Sequence, residues 1–171
     1  MSLECHRTEA PAALRFAVIT ISDTRDAATD RGGPLLVAGL EAAGHRVTAR
    51  VIVRDEAPEI ERAVRDAVAQ ADVDLVLTTG GTGIAPRDVT YPTLLRLFES
   101  EIPGFGELFR WLSFREIGSA TILSRATAGI LGGKVVIALP GSPKALALAL
   151  REIVLPEAGH LVAQARGPRG A

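Results

Sequence analysis

"VDLVLTTGGTGIAPRDVT", residues Val73 to Thr90, runs from an apolar segment into a turn containing Gly80, Gly81 and Gly83, and then through Pro86, Arg87 and Asp88. The run Val73–Leu77 has the length and composition of a buried strand, and Thr90 with Pro92 has the character of a helix start, so the stretch reads as strand, loop, helix. Glycines accept positive φ and carry no Cβ, so a ligand can approach this backbone, and the amides of the next helix N-terminus favour an anion. A tight strand-to-helix turn without a ligand would use the same residues, and the glycines alone leave both readings open. The spacing does exclude two common nucleotide fingerprints. Pro86 stands where a dinucleotide loop has its third glycine, and "AGILGGKV" (128–135) has Ala128 and Val135 at the outer positions of a would-be GxxxxGK[ST] loop.

Outward from this unit the pattern repeats. "RFAVITIS" (Arg15–Ser22) predicts a strand, Pro34 opens a helix with Leu36, Leu40 and Ala43 on one face, and Gly44 closes it. "RVTARVIV" (Arg46–Val53) predicts a second strand. Asp55 stands at an N-cap position before a helix with Ile60, Ala63, Val64, Ala67 and Val68 on its apolar face. Beyond the glycine loop, the helix from Thr90 runs through Leu94, Leu95, Leu97 and Phe98, and Phe105, Leu108, Phe109 and Leu112 predict a further helix in "PGFGELFRWLSFREIG" (103–118). "SATIL" (Ser119–Leu123) reads as a short strand, "KVVIAL" (Lys134–Leu139) as a clearer one, and the chain closes with a helix bent or broken near Pro156. The alternation predicts one three-layer α/β/α domain at 15–163, with a doubly wound, mostly parallel sheet, between a lead-in at 1–14 and a tail at 164–171. Ligands in such folds bind at the carboxyl ends of the strands, which points to the loops after Ile21, Val53, Leu77 and Leu139.

Composition narrows the classes. The 171 residues are 47% hydrophobic, enough for one sizeable core, and the net charge of -1 with a pI near 6.3 argues against a nucleic-acid-binding protein. The single cysteine, Cys5, excludes an internal disulfide framework and a cysteine-based zinc cluster, and fits a reducing compartment. No run approaches the ~18 apolar residues of a membrane span, so a cytoplasmic protein without a membrane partner is expected. His6, His45 and His160 form no nucleophile and base pair with other residues in the sequence pattern, and none is assigned a catalytic role.

The predicted loops carry a specific inventory. Asp55 and Asp88 each read either as a helix cap or, if neighbouring strand ends bring them together, as ligands of one Mg²⁺ completed by water and substrate phosphates. Arg87, Arg125 and Lys144 are either cations for a phosphate or solvated surface charges. Ser22 and Asp23 follow the first strand, and Gly141 and Ser142 begin the last helix after Pro140; each pair suits a ligand or an ordinary turn or cap. Phe105, Phe109, Trp111 and Phe114 read as core packing or as part of an interface between subunits.

The segments "TTGGTGIAPRDVT", "SDT" (22–24), "PGFGELFRWLSFREIG", "ILSRATAG" (122–129) and "LPGSPKA" (139–145) occur in an order that resembles the molybdenum cofactor biosynthesis protein B family, MoaB, and the related MogA-type molybdopterin adenylyltransferases. The resemblance covers about residues 15 to 163. It implies a MogA/MoaB-like molybdopterin-binding fold and adenylylation of molybdopterin by Mg-ATP as co-substrate, with no permanently bound cofactor. The pterin's terminal phosphate would attack the α-phosphorus of ATP, releasing pyrophosphate before molybdate insertion. That phosphate has a second pKa near ~6 and needs no strong base. By motif, Asp88 and Asp55 become the catalytic and metal-binding aspartates. Ser22, Asp23, Thr79, Gly80, Gly81, Thr82, Gly83, Arg87, Thr90, Ser124, Pro140, Gly141, Ser142 and Lys144 become the nucleotide- and pterin-binding set. "FRWLSFREIG" is of the B type. The resemblance further implies a homotrimer or hexamer and pathway protein partners; a non-catalytic oligomeric molybdopterin-binding protein is the alternative.

Overall fold

The computed structural model describes residue 11 and residues 13–167. Cys5 and His6 lie outside the described residues. Six strands form one sheet in the order β2-β1-β3-β6-β5-β4: β1 Arg15–Ile21, β2 Arg46–Val53, β3 Leu75–Thr79, β4 Ser100–Glu101, β5 Thr127–Leu131 and β6 Lys134–Leu139. The pairs β1 with β2, β1 with β3 and β3 with β6 are parallel, while β5 runs antiparallel to both β6 and β4. The helices are α1 Gly32–Ala42, α2 Ala57–Ala69, α3 Thr90–Leu97, α4 Pro103–Ile117, α5 Pro143–Ala149 and α6 Leu155–Arg166.

Phe16, Val18, Leu75, Leu77, Ile137 and Leu139 face one side of the sheet and pack with α1, α4, α5 and α6. Ala17, Ile19, Val76 and Val136 face the other and pack with α2 and α3. Alternate residues of each central strand therefore enter opposite cores, which is why those strands read as unbroken apolar runs. The result is three layers. Because β1 neighbours β2 on one side and β3 on the other, chain direction across the sheet reverses there, and the crevice at that switch point opens at the carboxyl ends of both strands.

Two expectations need correction. Ser119–Leu123 is no strand: Gly118, at φ +61, ends α4, and Gly118–Leu123 winds as a 3₁₀ turn that the Thr121 hydroxyl ties to the Arg110 carbonyl at 3.3 Å. The strand lies further on, at β5, where Gly129 leaves room for Phe98; a Cβ there would fall 2.3 Å from its ring. Neither β5 nor the two-residue β4 is apparent from periodicity. Strand β3 starts at Leu75, because Asp74 at its mouth takes the Arg15 amide at 2.8 Å, and it extends through Thr78 and Thr79. The break before Pro156 is a π-helical segment, Leu150–Val154, in which the Leu155 N–H donates to the Leu150 carbonyl. Among the described residues no helix is long and apolar enough to cross a membrane.

Candidate active site

Loops after β1, β2, β3 and β6 converge on a cleft of about 1080 Å³, walled on its outer side by the end of α4 and the 3₁₀ turn. Of the predicted residues, Ser22, Asp23, Asp55, Thr79, Gly80 to Gly83, Asp88, Ser124, Pro140 to Ser142 and Lys144 line it. Arg87 and Thr90 do not, although both touch residues that do.

The glycine loop is shaped by close approach. Gly80, at φ +110, donates its N–H to the Leu139 carbonyl and packs so tightly on β1 that a Cβ would lie 2.1 Å from the Ile21 carbonyl oxygen. Gly81, at φ +63, faces Asp55 and Thr90: a Cβ would lie 2.7 and 2.8 Å from the two Asp55 carboxylate oxygens and 2.2 Å from the Thr90 hydroxyl. At Gly83 a Cβ would fall 2.7 Å from Asp88 Oδ2. Two of the three glycines thus make space for the two aspartates.

Neither aspartate caps the helix that follows it. Helices α2 and α3 begin at Ala57 and Thr90 without a side-chain cap. Asp55 Oδ1 instead accepts the Val89 N–H at 3.2 Å from the next loop, and Asp88 Oδ2 accepts the Ala85 N–H at 3.0 Å within its own. Asp55 is 7% exposed. Burial, with the nearby charges of Asp88 and Asp23, pushes its carboxyl above the ordinary range, against the Val89 hydrogen bond and Arg87. A buried, partly bonded carboxylate with Asp88 nearby is a place where a cation would be stabilised.

The predicted cations divide. Arg87 is committed: its Nε and Nη2 donate to the Asp23 carboxylate at 2.7 and 2.9 Å, and Nη2 also reaches Glu56 at 2.8 Å. This holds Asp23 below the usual carboxylate range. Arg125 braces the loop, donating from Nη2 to the carbonyls of Gly83 and Asp88 and lying 5.2 Å over the Tyr91 ring, while its buried Nε has no partner. Lys144 is exposed at the start of α5. Two polar predictions are also occupied: the Thr79 hydroxyl donates to the Pro140 carbonyl at 3.0 Å, and Ser22 Oγ accepts the Thr24 and Arg25 amides in a local turn.

Reading the sequence missed Asp30. Buried on the cleft wall, it accepts the Gly32 and Gly33 amides at 3.0 and 3.1 Å, the Thr20 hydroxyl at 2.8 Å and Arg50 at 2.9 Å. Burial raises its carboxyl, but these donors outweigh burial and leave it below the ordinary range. An aspartate two residues before a Gly-Gly-Pro helix start is the signal that could have found it. His45, by contrast, lies beside Leu14 and Phe16, away from the cleft, where its Nδ1 accepts the Leu14 N–H at 3.2 Å.

A family profile described as a probable molybdopterin binding domain matches residues 17–160. The chain is 50% identical to molybdenum cofactor biosynthesis protein B of Halalkalibacterium halodurans over 95% of its own length and 96% of the relative's. It belongs to the molybdenum cofactor biosynthesis protein B family. A crystal structure of a protein of that name superposes with a TM-score of 0.89 at 48% identity, covering 93% of this chain and 99% of the other. A second, described as the tungsten cofactor synthesizing protein MoaB of Pyrococcus furiosus, gives 0.82 at 40% identity, covering 92% and 99%. The family's fold therefore holds here from β1 to α6, and the cleft lies within the matched region.

Proposed function

We propose that this cleft catalyses Mg-ATP-dependent adenylylation of molybdopterin. The observation that carries the reading is the placement of Asp55 and Asp88: two carboxylates from separate loops, neither capping the helix that follows it, against glycine backbone that has no Cβ to keep them away.

The donor set fits Mg²⁺, which takes one or two carboxylates and completes its shell with water and phosphate oxygens. Among the described residues no group of three or more His, Cys, Asp or Glu side chains is arranged to hold a metal, so Asp55 and Asp88 would supply two ligands, and water or phosphate oxygens the rest. Bound by Asp55 and Asp88, the ion would neutralise charge on the phosphates. The chain's own contribution is positioning and exclusion. The Gly80 to Gly83 backbone lines the cleft beside the two aspartates, the start of α5 with Gly141, Ser142 and Lys144 offers positive potential, and the Asp30 network holds the start of α1 against the cleft. The pterin phosphate oxygen then forms the new bond to the α-phosphorus as the bond to the pyrophosphate oxygen breaks. No general base is required, since the attacking phosphate is largely ionised at neutral pH.

The test is an anaerobic assay with molybdopterin, ATP and Mg²⁺, quantifying adenylylated pterin and pyrophosphate. Asp88→Asn is expected to keep the circular dichroism spectrum and lose at least about a hundredfold in turnover. Wild-type protein that binds pterin and makes no product would instead select the non-catalytic binding role. We place the protein in the cytoplasm. We assign it as a trimer or hexamer on the support of Leu108, Trp111, Phe114 and Ile117, large apolar side chains exposed along α4 while Phe105 and Phe109 of the same helix are buried. Light scattering that finds only monomer at micromolar concentration would remove the oligomer.

A further inference from the structure

We propose that Arg87 binds no phosphate: it is a positioning residue that keeps the carboxylates of Asp23, on the cleft wall, and Glu56 engaged in ion pairs, so that a metal is ligated by Asp55 and Asp88 rather than by four carboxylates. The inference rests on the metal-site reading above and deepens it.

The geometry is a three-loop clasp. Arg87 comes from the loop after β3, Asp23 from the loop after β1 and Glu56 from the loop after β2. Its guanidinium engages Asp23 through two nitrogens, at 2.7 and 2.9 Å, and Glu56 through one of them, at 2.8 Å. The chain of contacts continues inward, because Asp23 Oδ1 also accepts the Asp55 N–H at 3.1 Å. Asp23 is thereby bonded by Arg87 on both oxygens and by the backbone of the very residue whose carboxylate enters the cleft. A lysine ammonium could supply the charge, but only a planar fork takes two carboxylates in fixed orientations.

Stability does not explain the arrangement. Arg87 is 55% exposed and Glu56 48%, and exposed ion pairs contribute little. The charge balance does. Asp23, Asp55, Glu56 and Asp88 lie on adjoining loops, and without the guanidinium a divalent cation would find one more unit of net negative charge and a released Asp23 within reach. At an effective dielectric of about 40 to 80 and with salt screening, a unit charge several ångströms from a divalent ion alters its binding by about three- to tenfold. A third carboxylate would also displace a water or phosphate oxygen from the ion's shell.

This predicts the opposite sign from a phosphate-binding arginine. In the full-length chain, Mn²⁺ binding without nucleotide, followed by electron paramagnetic resonance, is expected to tighten about three- to tenfold in Arg87→Met. Asp23→Asn in the same chain should reverse most of that gain. In the adenylylation assay Arg87→Met should lower kcat while the KM for ATP stays within about twofold, and Arg87→Lys should recover the Mn²⁺ affinity of wild type but only part of kcat. Unchanged or weaker Mn²⁺ binding in Arg87→Met, with a raised KM for ATP that Asp23→Asn does not alter, would overturn the proposal, as would wild-type protein that binds no Mn²⁺. The metal titration needs no turnover, so a protein that never adenylylates pterin would sink the functional reading while the titration still tested the role of Arg87.

Discussion

Alanine placed at Gly80 and at Gly83 should separate folding from chemistry within one loop. At Gly80 the backbone has φ +110, and the new Cβ would sit 2.1 Å from the Ile21 carbonyl oxygen, a backbone atom at the end of β1 where Ile21 pairs with Val53 of β2. The dihedral alone costs about 1–3 kcal/mol, and relieving the overlap requires a strand or the loop to move, so a total loss of more than about 3 kcal/mol is expected. At Gly83 the obstacle is Asp88 Oδ2 at 2.7 Å, the end of a side chain that can rotate away. The rotation breaks the 3.0 Å bond to the Ala85 amide, worth about 1 kcal/mol, while alanine stiffens the unfolded chain by about 0.4–1 kcal/mol. These nearly cancel, so Gly83→Ala should unfold within about 1 kcal/mol of wild type in urea, measured by circular dichroism. Its adenylylation rate should nevertheless fall at least about tenfold, because the displaced carboxylate is the one assigned to the metal. Equal urea midpoints for the two variants would refute the backbone argument, and full turnover by Gly83→Ala would refute the role given to Asp88's orientation.

Asp74, at the end of the sheet away from the cleft, should act on stability and not on chemistry. Burial raises its carboxyl, but Arg15 and Arg166 outweigh burial and hold it at about 2, against an ordinary 3.8. That depression corresponds to about 2.4 kcal/mol, reduced to about 1–2 because both guanidinium groups are largely exposed. A depressed carboxylate stabilises above its unfolded-state pKa and loses that contribution as pH falls through its folded one. Asp74→Asn should therefore cost about 1–2 kcal/mol at pH 7, with the difference from wild type shrinking between pH 4 and pH 2; a gap that stays constant to pH 2 would reject the assignment. Thr78 is fully buried with its hydroxyl unpartnered, so Thr78→Val should be neutral or raise stability by up to about 1 kcal/mol, and a loss beyond that would reveal a partner for the hydroxyl.

Much of the architecture could be read because it depends on local pattern. Strands β1, β2 and β6 and helices α1 to α4 follow from apolar periodicity and from glycine and proline at their ends, with bounds near those expected. Strand β5 was hidden because "TAGIL" is short and holds a glycine whose reason, the Phe98 ring packed against it, is distant in sequence. "SATIL" has strand-like residues but no neighbour to pair with, since the 3₁₀ turn is tied down onto α4 instead.

The candidate site divides in the same way. The glycine loop and the set of loops that meet at the cleft were legible from the chain alone, because each is a matter of residue type and spacing, whereas spacing left Asp55 and Asp88 open between helix caps and metal ligands. What those side chains do depended on the packed fold. It turned Asp55 from its own helix to the Val89 amide at the start of α3 and Asp88 to the Ala85 amide, committed Arg87 to Asp23 and Glu56, turned Arg125 onto the loop carbonyls, and put Asp30 in the cleft wall. Spacing along a chain records which groups are available, whereas a charge's partner is whichever group the packed strands bring within about 3 Å of it.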